Sequence, residues 1–286
     1  MIDFRSWLVL GRVSNLSTVW SNALCAWVLG GGRDLQTLSF LMLGFSLLYL
    51  AGMYLNDFYD LDFDKKYRPE RPIPAGKVKR SHVLVATITM FILGSLCMYL
   101  SHPDTLLYGL MLVGLIVLYT IIHKRTAAGV PVMAACRLAI YLAVGAACTT
   151  GITPTIWGAG LIMFFYVLGI TALARNESNS VKVSAAGSAF LVCPLIAVIY
   201  VAGPPYNPTF PLYLLLLALW MALTFSKARA TGQLIVGKTI GPLLAGICLM
   251  DLAILSSMHL VAVPILGTIL GFFVIAIIAQ KRIPAT

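Results

Sequence analysis

Ten runs of predominantly apolar residues, each 16 to 20 residues long, constrain this chain more than any other feature. They cover residues 13–30, 37–56, 82–100, 105–122, 130–149, 155–174, 185–202, 211–226, 238–257 and 260–279. An apolar helix of about 20 residues spans the hydrocarbon core of a bilayer. The runs are too long and too continuous for the alternating strands of a membrane β-barrel. The sequence therefore predicts an all-α, polytopic transmembrane bundle of nine to ten spans, forming a single integral-membrane domain over residues 1–286.

The composition excludes a soluble fold. Hydrophobic residues make up 60% of the 286 residues and charged residues only 10%, against about 25% charged residues in soluble domains. The six cysteines lie in apolar stretches without paired spacing, which favours buried thiols over disulfides or a metal site. We expect no cleavable signal peptide, because the first apolar run leads directly into further predicted spans.

The basic residues predict the orientation of the chain in the membrane. Eighteen of the 20 Lys and Arg residues fall in the N-terminal segment, the even-numbered loops and the C-terminal tail. Cytoplasmic loops of membrane proteins carry such an excess, so both termini are predicted to be cytoplasmic. The net charge of +10 therefore indicates contact with an anionic membrane surface or an anionic substrate, and not with nucleic acid.

Five of the ten acidic residues cluster between positions 57 and 70, at the predicted cytoplasmic end of the second span. Asn56, Asp60 and Asp64 are spaced four residues apart, which places them on one face of a helix. Stacked oxygen donors repel one another unless a cation lies among them, and oxygen ligands suit Mg²⁺ bridged to substrate phosphates. Asp57 lies beside this stripe and is a further candidate ligand, whereas Asp62 is predicted to point into solvent. The alternative is an ordinary polar loop at the membrane surface.

The stretch NDFYDLDFD followed by RPERPIPAGK resembles the first aspartate-rich motif, with its Arg-Pro segment, of the UbiA superfamily of intramembrane prenyltransferases. The family pattern Asn-x-x-x-Asp-x-x-x-Asp is met by Asn56, Asp60 and Asp64. The resemblance implies a helical bundle around a central cavity. It also implies that Mg²⁺ holds an isoprenyl diphosphate at the cytoplasmic mouth, with Arg71 of the Arg-Pro segment assigned to the diphosphate.

The second acidic motif of the family departs from its usual Asp-x-x-x-Asp form here. The corresponding loop reads TALARNESNSVK, and Glu177 is its only acid. Glu177 is therefore predicted as the remaining carboxylate ligand, with the amide of Asn176 or Asn179 assisting. Arg175 and Lys182 are predicted to neutralise phosphate directly, since guanidinium and ammonium groups do part of a metal's work.

Several other polar residues in or next to the predicted spans are candidates for the site. Lys124, at the end of the fourth span, matches a basic residue that the family directs to the diphosphate, although positive-inside topology also explains it. Arg137 lies within the fifth span, where an unpaired charge costs at least ~2.5–3.5 kcal/mol, so a diphosphate-binding or buried pairing role is predicted. Asp251 is predicted as a structural partner in the bundle. The four histidines show no ligand spacing.

These features predict a magnesium-dependent prenyltransferase that moves an isoprenyl group from its diphosphate to a lipophilic, aromatic acceptor at the cytoplasmic face. The altered loop around Glu177 keeps a UbiA-related terpene cyclase as an alternative. A transporter, with Arg137 and Asp251 as midmembrane charges, is a third reading. The predicted partners are the isoprenyl diphosphate, the acceptor and membrane lipids. The sequence does not determine the oligomeric state.

Overall fold

Twelve α-helices and one short 3₁₀ turn make up the described part of the chain in this computed structural model, which comprises residues 3–177, 185–202, 208–230 and 236–284. Side chains are described at 3–175, 191–199, 208–227 and 239–284. The helices are α1 Phe4–Leu10, α2 Leu16–Leu29, α3 Leu35–Tyr59, α4 Leu61–Tyr67, α5 Arg80–Ser101, α6 Thr105–Ile122, α7 Gly129–Ala147, α8 Pro154–Glu177, α9 Ala185–Ala202, α10 Phe210–Ala230, α11 Val236–Ser257 and α12 Val263–Gln280. The 3₁₀ turn is Val13–Asn15.

The ten predicted spans correspond to α2, α3 and α5 to α12. Eight helices within the described ranges are long and apolar enough to cross a membrane, whereas α2 has only 14 residues. No strand occurs among the described residues. The predicted all-α, multi-pass membrane architecture is therefore confirmed. The short helices α1 and α4 were not predicted as separate elements.

Helices α2 and α11 occupy the interior of the bundle. Of the membrane-crossing stretch of α11, 89% is buried, and α11 contacts α2, α8, α9, α10 and α12. At the periphery, α3 packs along α5 through a close backbone approach at Gly44 and Gly94. A Cβ atom on either glycine would lie 3.1–3.2 Å from the carbonyl oxygen of the other. Small residues allow such close contact between membrane helices.

Segments predicted to share one side of the membrane lie at one end of the bundle. Trp7 of α1 accepts a hydrogen bond from Tyr54 near the end of α3, and Asn15 accepts one from Gln280 at the end of α12. At the opposite end, Thr150 Oγ1 donates to the carbonyl of Gly30 over 3.0 Å. The described N-terminal segment and the end of α12 thus lie at the same end of the bundle as the end of α3, where the acidic cluster lies.

Candidate active site

The acidic cluster lies where α3 passes into α4. The predicted continuous helix is interrupted at Asp60, which separates the two helices. The backbone N–H groups of Asp60 and Asp64 nevertheless bond the carbonyls four residues earlier, so the predicted spacing survives the break. Asp57, Asp60 and Asp64 are each at most 5% exposed. The side chain of Asp62 is 97% exposed, as predicted.

Asp57 and Asp64 are bound by arginines. Arg71 Nη1 lies 2.9 Å from Asp64 Oδ2 and 3.1 Å from Asp57 Oδ1. Arg12 Nη2 lies 2.9 Å from the same oxygen of Asp57. The segment before α2 and the connection after α4 thus each supply a guanidinium group to the cluster.

Asp60 is held by the turn that follows α6. Lys124 Nζ lies 2.8 Å from Asp60 Oδ1, and His123 Nε2 lies 3.4 Å from Oδ2. The Lys124 ammonium also lies 3.7 Å from the ring centre of Phe63, which supplies a cation–π contact. Arg175 of α8 fixes this turn, because its Nη1 donates to the backbone carbonyls of His123 and Thr126.

The protonation preferences of two of these carboxyl groups differ. Burial would raise the pKa of Asp60, but its contacts with His123 and Lys124 outweigh burial and lower that pKa below its ordinary value. Burial raises the pKa of Asp64 despite the opposing effect of Arg71. Asp60 is therefore the more strongly stabilised anion of the two.

The oxygen donors suit a magnesium ion. Asn56 Nδ2 donates to Asp60 Oδ2 over 3.3 Å, while Asn56 Oδ1 is buried and has no hydrogen-bond partner among the described residues. Buried polar atoms are normally satisfied, so an orphaned amide oxygen next to the Asp60 carboxylate fits a hard cation. Within the described ranges, however, no three acidic, histidine or cysteine side chains converge as a ready metal cage. The carboxylates instead lie against basic groups.

An apolar cavity of about 80 Å³ lies beneath this cluster. Its walls are Val19 of α2, Phe45, Tyr49, Gly52 and Met53 of α3, Leu112, Ile116, Tyr119 and Thr120 of α6, and Met133, Cys136, Arg137 and Ile140 of α7. The α3 residues continue the helix face of Asn56 and Asp60. From Asp60, Met53 lies about 10 Å and Phe45 about 22 Å along the helix axis. A polar mouth and an apolar interior therefore share one face of α3.

Arg137 lines this cavity, but it belongs to a separate buried network. Its Nη1 donates to Asn22 Oδ1 over 3.0 Å and its Nη2 to Thr18 Oγ1 over 3.1 Å. Asn22 Nδ2 in turn donates to Asp251 over 3.0 and 3.2 Å. Arg137 lies eight residues into α7, about 12 Å from its start. Its pairing with Asp251 through Asn22 agrees with the predicted buried partnership, while its diphosphate-binding role stays a prediction.

The structure brings together six of the predicted site residues, namely Asn56, Asp57, Asp60, Asp64, Arg71 and Lys124. Arg175 reaches the same end of the bundle through its contacts with the turn after α6. The Glu177 side chain and Lys182 lie outside the described residues, so their predicted roles stay predictions.

Sequence reasoning left Arg12 and His123 out of the site. Both lie in segments predicted to be on the same side of the membrane as the acidic cluster. This predicted topology is the sequence signal that could have indicated them as site residues. Arg12 is separated from Asp57 by 45 positions, and His123 is 63 positions from Asp60. Spacing along the chain does not reveal such pairs.

Comparison with known proteins places this fold among intramembrane prenyltransferases. Over 189 residues the chain is 29% identical to a protoheme IX farnesyltransferase from Macrococcus caseolyticus, with 61% of each chain covered. It is 28% identical over 195 residues to a digeranylgeranylglyceryl phosphate synthase from Sulfolobus acidocaldarius, covering 63% of this chain and 68% of that protein. The chain thus spans less than two thirds of the first of these relatives.

Solved structures share the same architecture. The apo structure of a UbiA homologue from Aeropyrum pernix superposes with a TM-score of 0.66 at 16% identity, over 87% of this chain and 98% of that one. A UbiA homologue from Archaeoglobus fulgidus, bound to DMAPP and Mg²⁺, gives 0.50 at 14% identity, over 96% and 99%. The sequence model of the UbiA prenyltransferase family matches residues 15–231. With most of its length matched, this chain belongs to the UbiA prenyltransferase family.

Proposed function

We propose that this membrane protein transfers an isoprenyl group from an isoprenyl diphosphate to a lipophilic acceptor, in a reaction that depends on Mg²⁺. The observation that carries the proposal is the position of the paired acidic and basic groups directly above an apolar cavity, on one face of α3. The polar groups suit a metal diphosphate, and the cavity suits a hydrocarbon chain. Family membership supports the same reaction class.

The proposed metal ligands are the oxygen donors Asn56, Asp60 and Asp64, with Glu177 as the predicted fourth. Asp57 is the further predicted ligand, and its Oδ1 is contacted by two arginines. When bound, Mg²⁺ would neutralise charge on the departing diphosphate. The Archaeoglobus homologue bound to DMAPP and Mg²⁺ is the precedent for this ligand pair.

The basic side chains provide the counter-charge for the diphosphate. The cluster holds three carboxylates against the cations Arg12, Arg71 and Lys124. If Asp60 and Asp64 turn to a metal ion, Lys124 and the Arg71 contact with Asp64 are released to bind the anion, while Arg12 stays on Asp57. The predicted contributions of Arg175 and Lys182 add to them. Preorganised charge of this kind stabilises the leaving group as the bond between C1 of the isoprenyl group and oxygen breaks.

The cavity would govern the fate of the resulting allylic cation. The bonding electron pair leaves with the diphosphate, and an acceptor carbon then attacks C1 and loses a proton. Apolar walls such as Phe45, Leu112 and Ile116 keep water from reaching the cation first. Tyr49 and Tyr119 also line the cavity, and aromatic rings stabilise nearby positive charge by cation–π interactions.

The acceptor and the membrane face are the finer parts of the proposal. We infer an aromatic acceptor, because an electron-rich ring carbon captures an allylic cation without a separate covalent nucleophile. The positive-inside pattern supports a mouth on the cytoplasmic side. The named relatives act on different acceptor classes, a protoheme and a glyceryl phosphate.

The test is turnover by the purified protein. Isoprenyl diphosphates of several lengths, incubated with Mg²⁺ and a panel of acceptors, should release diphosphate and yield a prenylated product detectable by mass spectrometry. Asp60→Ala and Asp64→Ala should each abolish diphosphate release, while Asp62→Ala, at an exposed position, should retain it. Undiminished release by either buried variant would refute the metal assignment.

Two further readings give different outcomes in the same preparation. A terpene cyclase would release diphosphate and form a cyclic hydrocarbon with no acceptor added. A transporter would move solute across proteoliposomes without consuming isoprenyl diphosphate.

A further inference from the structure

Two arginines from distant parts of the chain converge on one oxygen atom of Asp57. Arg12 Nη2 and Arg71 Nη1 lie 2.9 and 3.1 Å from Asp57 Oδ1. Guanidinium groups this close to each other repel, and the carboxylate between them offsets that repulsion. Arg71 Nη1 also lies 2.9 Å from Asp64 Oδ2, so the two arginines and two carboxylates are together neutral. Once Asp64 turns to a metal ion, the two arginines and Asp57 carry one net positive charge, which attracts an anion.

The backbone of Arg12 is also unusual. Its φ of 40° and ψ of 48° place it in the left-handed region, which residues with a Cβ atom rarely adopt. The hydroxyl of Tyr49 donates to the Arg12 carbonyl over 3.2 Å, and Arg12 Nη1 lies 3.2 Å from Met53 Sδ. Strained residues persist when their surroundings fix them, and they concentrate at functional sites. Contacts at both ends of Arg12 thus hold its side chain toward α3.

Asp57 differs from the predicted metal ligands in its contacts and not in its direction. Around α3 it is rotated by about 100° from Asn56 and about 60° from Asp60, but the same spacing puts it within about 20° of Asp64. Its Oδ1 already accepts two charge-assisted hydrogen bonds, which are the stronger kind in proteins. A metal ion at this oxygen would have to displace both guanidinium groups.

We propose that Asp57 is a positioning residue and not a metal ligand, and that it holds Arg12 and Arg71 side by side to bind the diphosphate. Arg12 then becomes a further substrate-binding residue, supplied from the segment before α2. The side chains of Arg12 and Arg71 are 12% and 15% exposed, so each retains some accessible surface. This inference rests on the proposed function, because it assigns a residue pair to the diphosphate of the same reaction.

The first experiment measures binding of inorganic pyrophosphate, with Mg²⁺ present, to the full-length protein in detergent by titration calorimetry. Arg12→Gln and Asp57→Asn should each raise the Kd for pyrophosphate about tenfold or more, because each removes a charge-assisted contact. The double variant should lose less than the product of the two single effects, because both act through one contact. The exposed variant Asp62→Asn should bind as the wild type does.

The second experiment separates positioning from metal binding. We measure the Mg²⁺ concentration at which the rate of diphosphate release from geranyl diphosphate is half-maximal. This concentration should be unchanged in Asp57→Asn and higher in Asp60→Asn. Arg12→Lys, which retains the charge, should recover part of the affinity for pyrophosphate. Thermal unfolding of each variant checks the fold, and Arg12→Lys replaces Arg12→Gln if the latter does not fold.

The outcomes distinguish this inference from the proposed function. Wild-type binding of pyrophosphate with equal binding by Arg12→Gln would overturn the inference and leave the proposed function standing. If Asp57→Asn raises the Mg²⁺ requirement as much as Asp60→Asn does, the inference is likewise overturned and the proposed function still stands. Absence of pyrophosphate binding in the wild type would overturn both.

Discussion

The buried network around Asp251 gives a prediction whose size follows from the structure. Asp251 is fully buried and accepts hydrogen bonds from Ser21, over 2.5 Å, and from Asn22 and Tyr141. Through Asn22 it provides the counter-charge for Arg137. Asp251→Ala would remove that counter-charge and leave the donors without their acceptor. A buried donor that loses its acceptor costs about 1–3 kcal/mol, and the lost counter-charge adds to the cost, so we expect a loss of about 3–5 kcal/mol in the free energy of unfolding.

Thermal unfolding of the purified protein, followed by tryptophan fluorescence, measures this loss. The midpoint should fall by roughly 10 °C in Asp251→Ala. Asp251→Asn keeps an oxygen acceptor of similar shape and should lose less, about 1–3 kcal/mol. The double variant Arg137→Met/Asp251→Leu removes both charges and should be more stable than Asp251→Ala alone.

The matched control is Asp62→Ala, because that carboxylate is 97% exposed and its nearest cation, Lys65, is 3.9 Å away. Its midpoint should stay within about 2 °C of the wild type, since exposed substitutions change stability by little. If Asp251→Ala unfolded at the same temperature as this control, the network would contribute nothing to stability and the reasoning would be refuted.

Two further predictions concern the cavity and the second acidic loop. A Cβ at Gly52 would lie 3.0 Å from Ile116 Cγ2, so Gly52→Leu should narrow the cavity and lower turnover of long isoprenyl diphosphates by about tenfold relative to short ones. Product mass spectrometry measures the ratio of long-chain to short-chain turnover. Gly114→Ala is the control, because Gly114 has open space around it. An unchanged ratio in Gly52→Leu would contradict the assignment of the cavity to the isoprenyl chain. Glu177→Gln should reduce diphosphate release less than Asp60→Ala does, and an equal loss would show instead that Glu177 is a full ligand.

The architecture was predictable because membrane insertion depends on local composition. Each apolar run carries its own signal, so even the shortest predicted segment, 211–226, lies within α10. The spacing of Asn56, Asp60 and Asp64 was equally local, since it spans two helical turns. The break at Asp60 was not predictable, because the i, i+4 pattern is the same for a continuous helix and for two helices in line.

The pairings within the site depend on information that a single sequence does not contain. Whether Arg12 contacts Asp57 depends on how the segment before α2 turns, and the left-handed residue of that turn is Arg12 itself and not the preceding Gly11. The link from Arg137 to Asp251 depends on how three helices are rotated about their axes. The cost of an unpaired intramembrane charge predicts that Arg137 has a partner, without saying which residue provides it.

The short length of α2 has a consequence for biogenesis. At 14 residues it extends about 21 Å, less than the roughly 30 Å of bilayer hydrocarbon. It also carries Ser17, Thr18, Ser21 and Asn22, all at most 1% exposed. Arg137 and Asp251, which bond the side chains of Thr18, Ser21 and Asn22, are synthesised more than a hundred residues later. The polar groups of α2 are therefore synthesised well before their partners, and a nascent chain that stops before α11 would leave Ser21 and Asn22 without the carboxylate of Asp251.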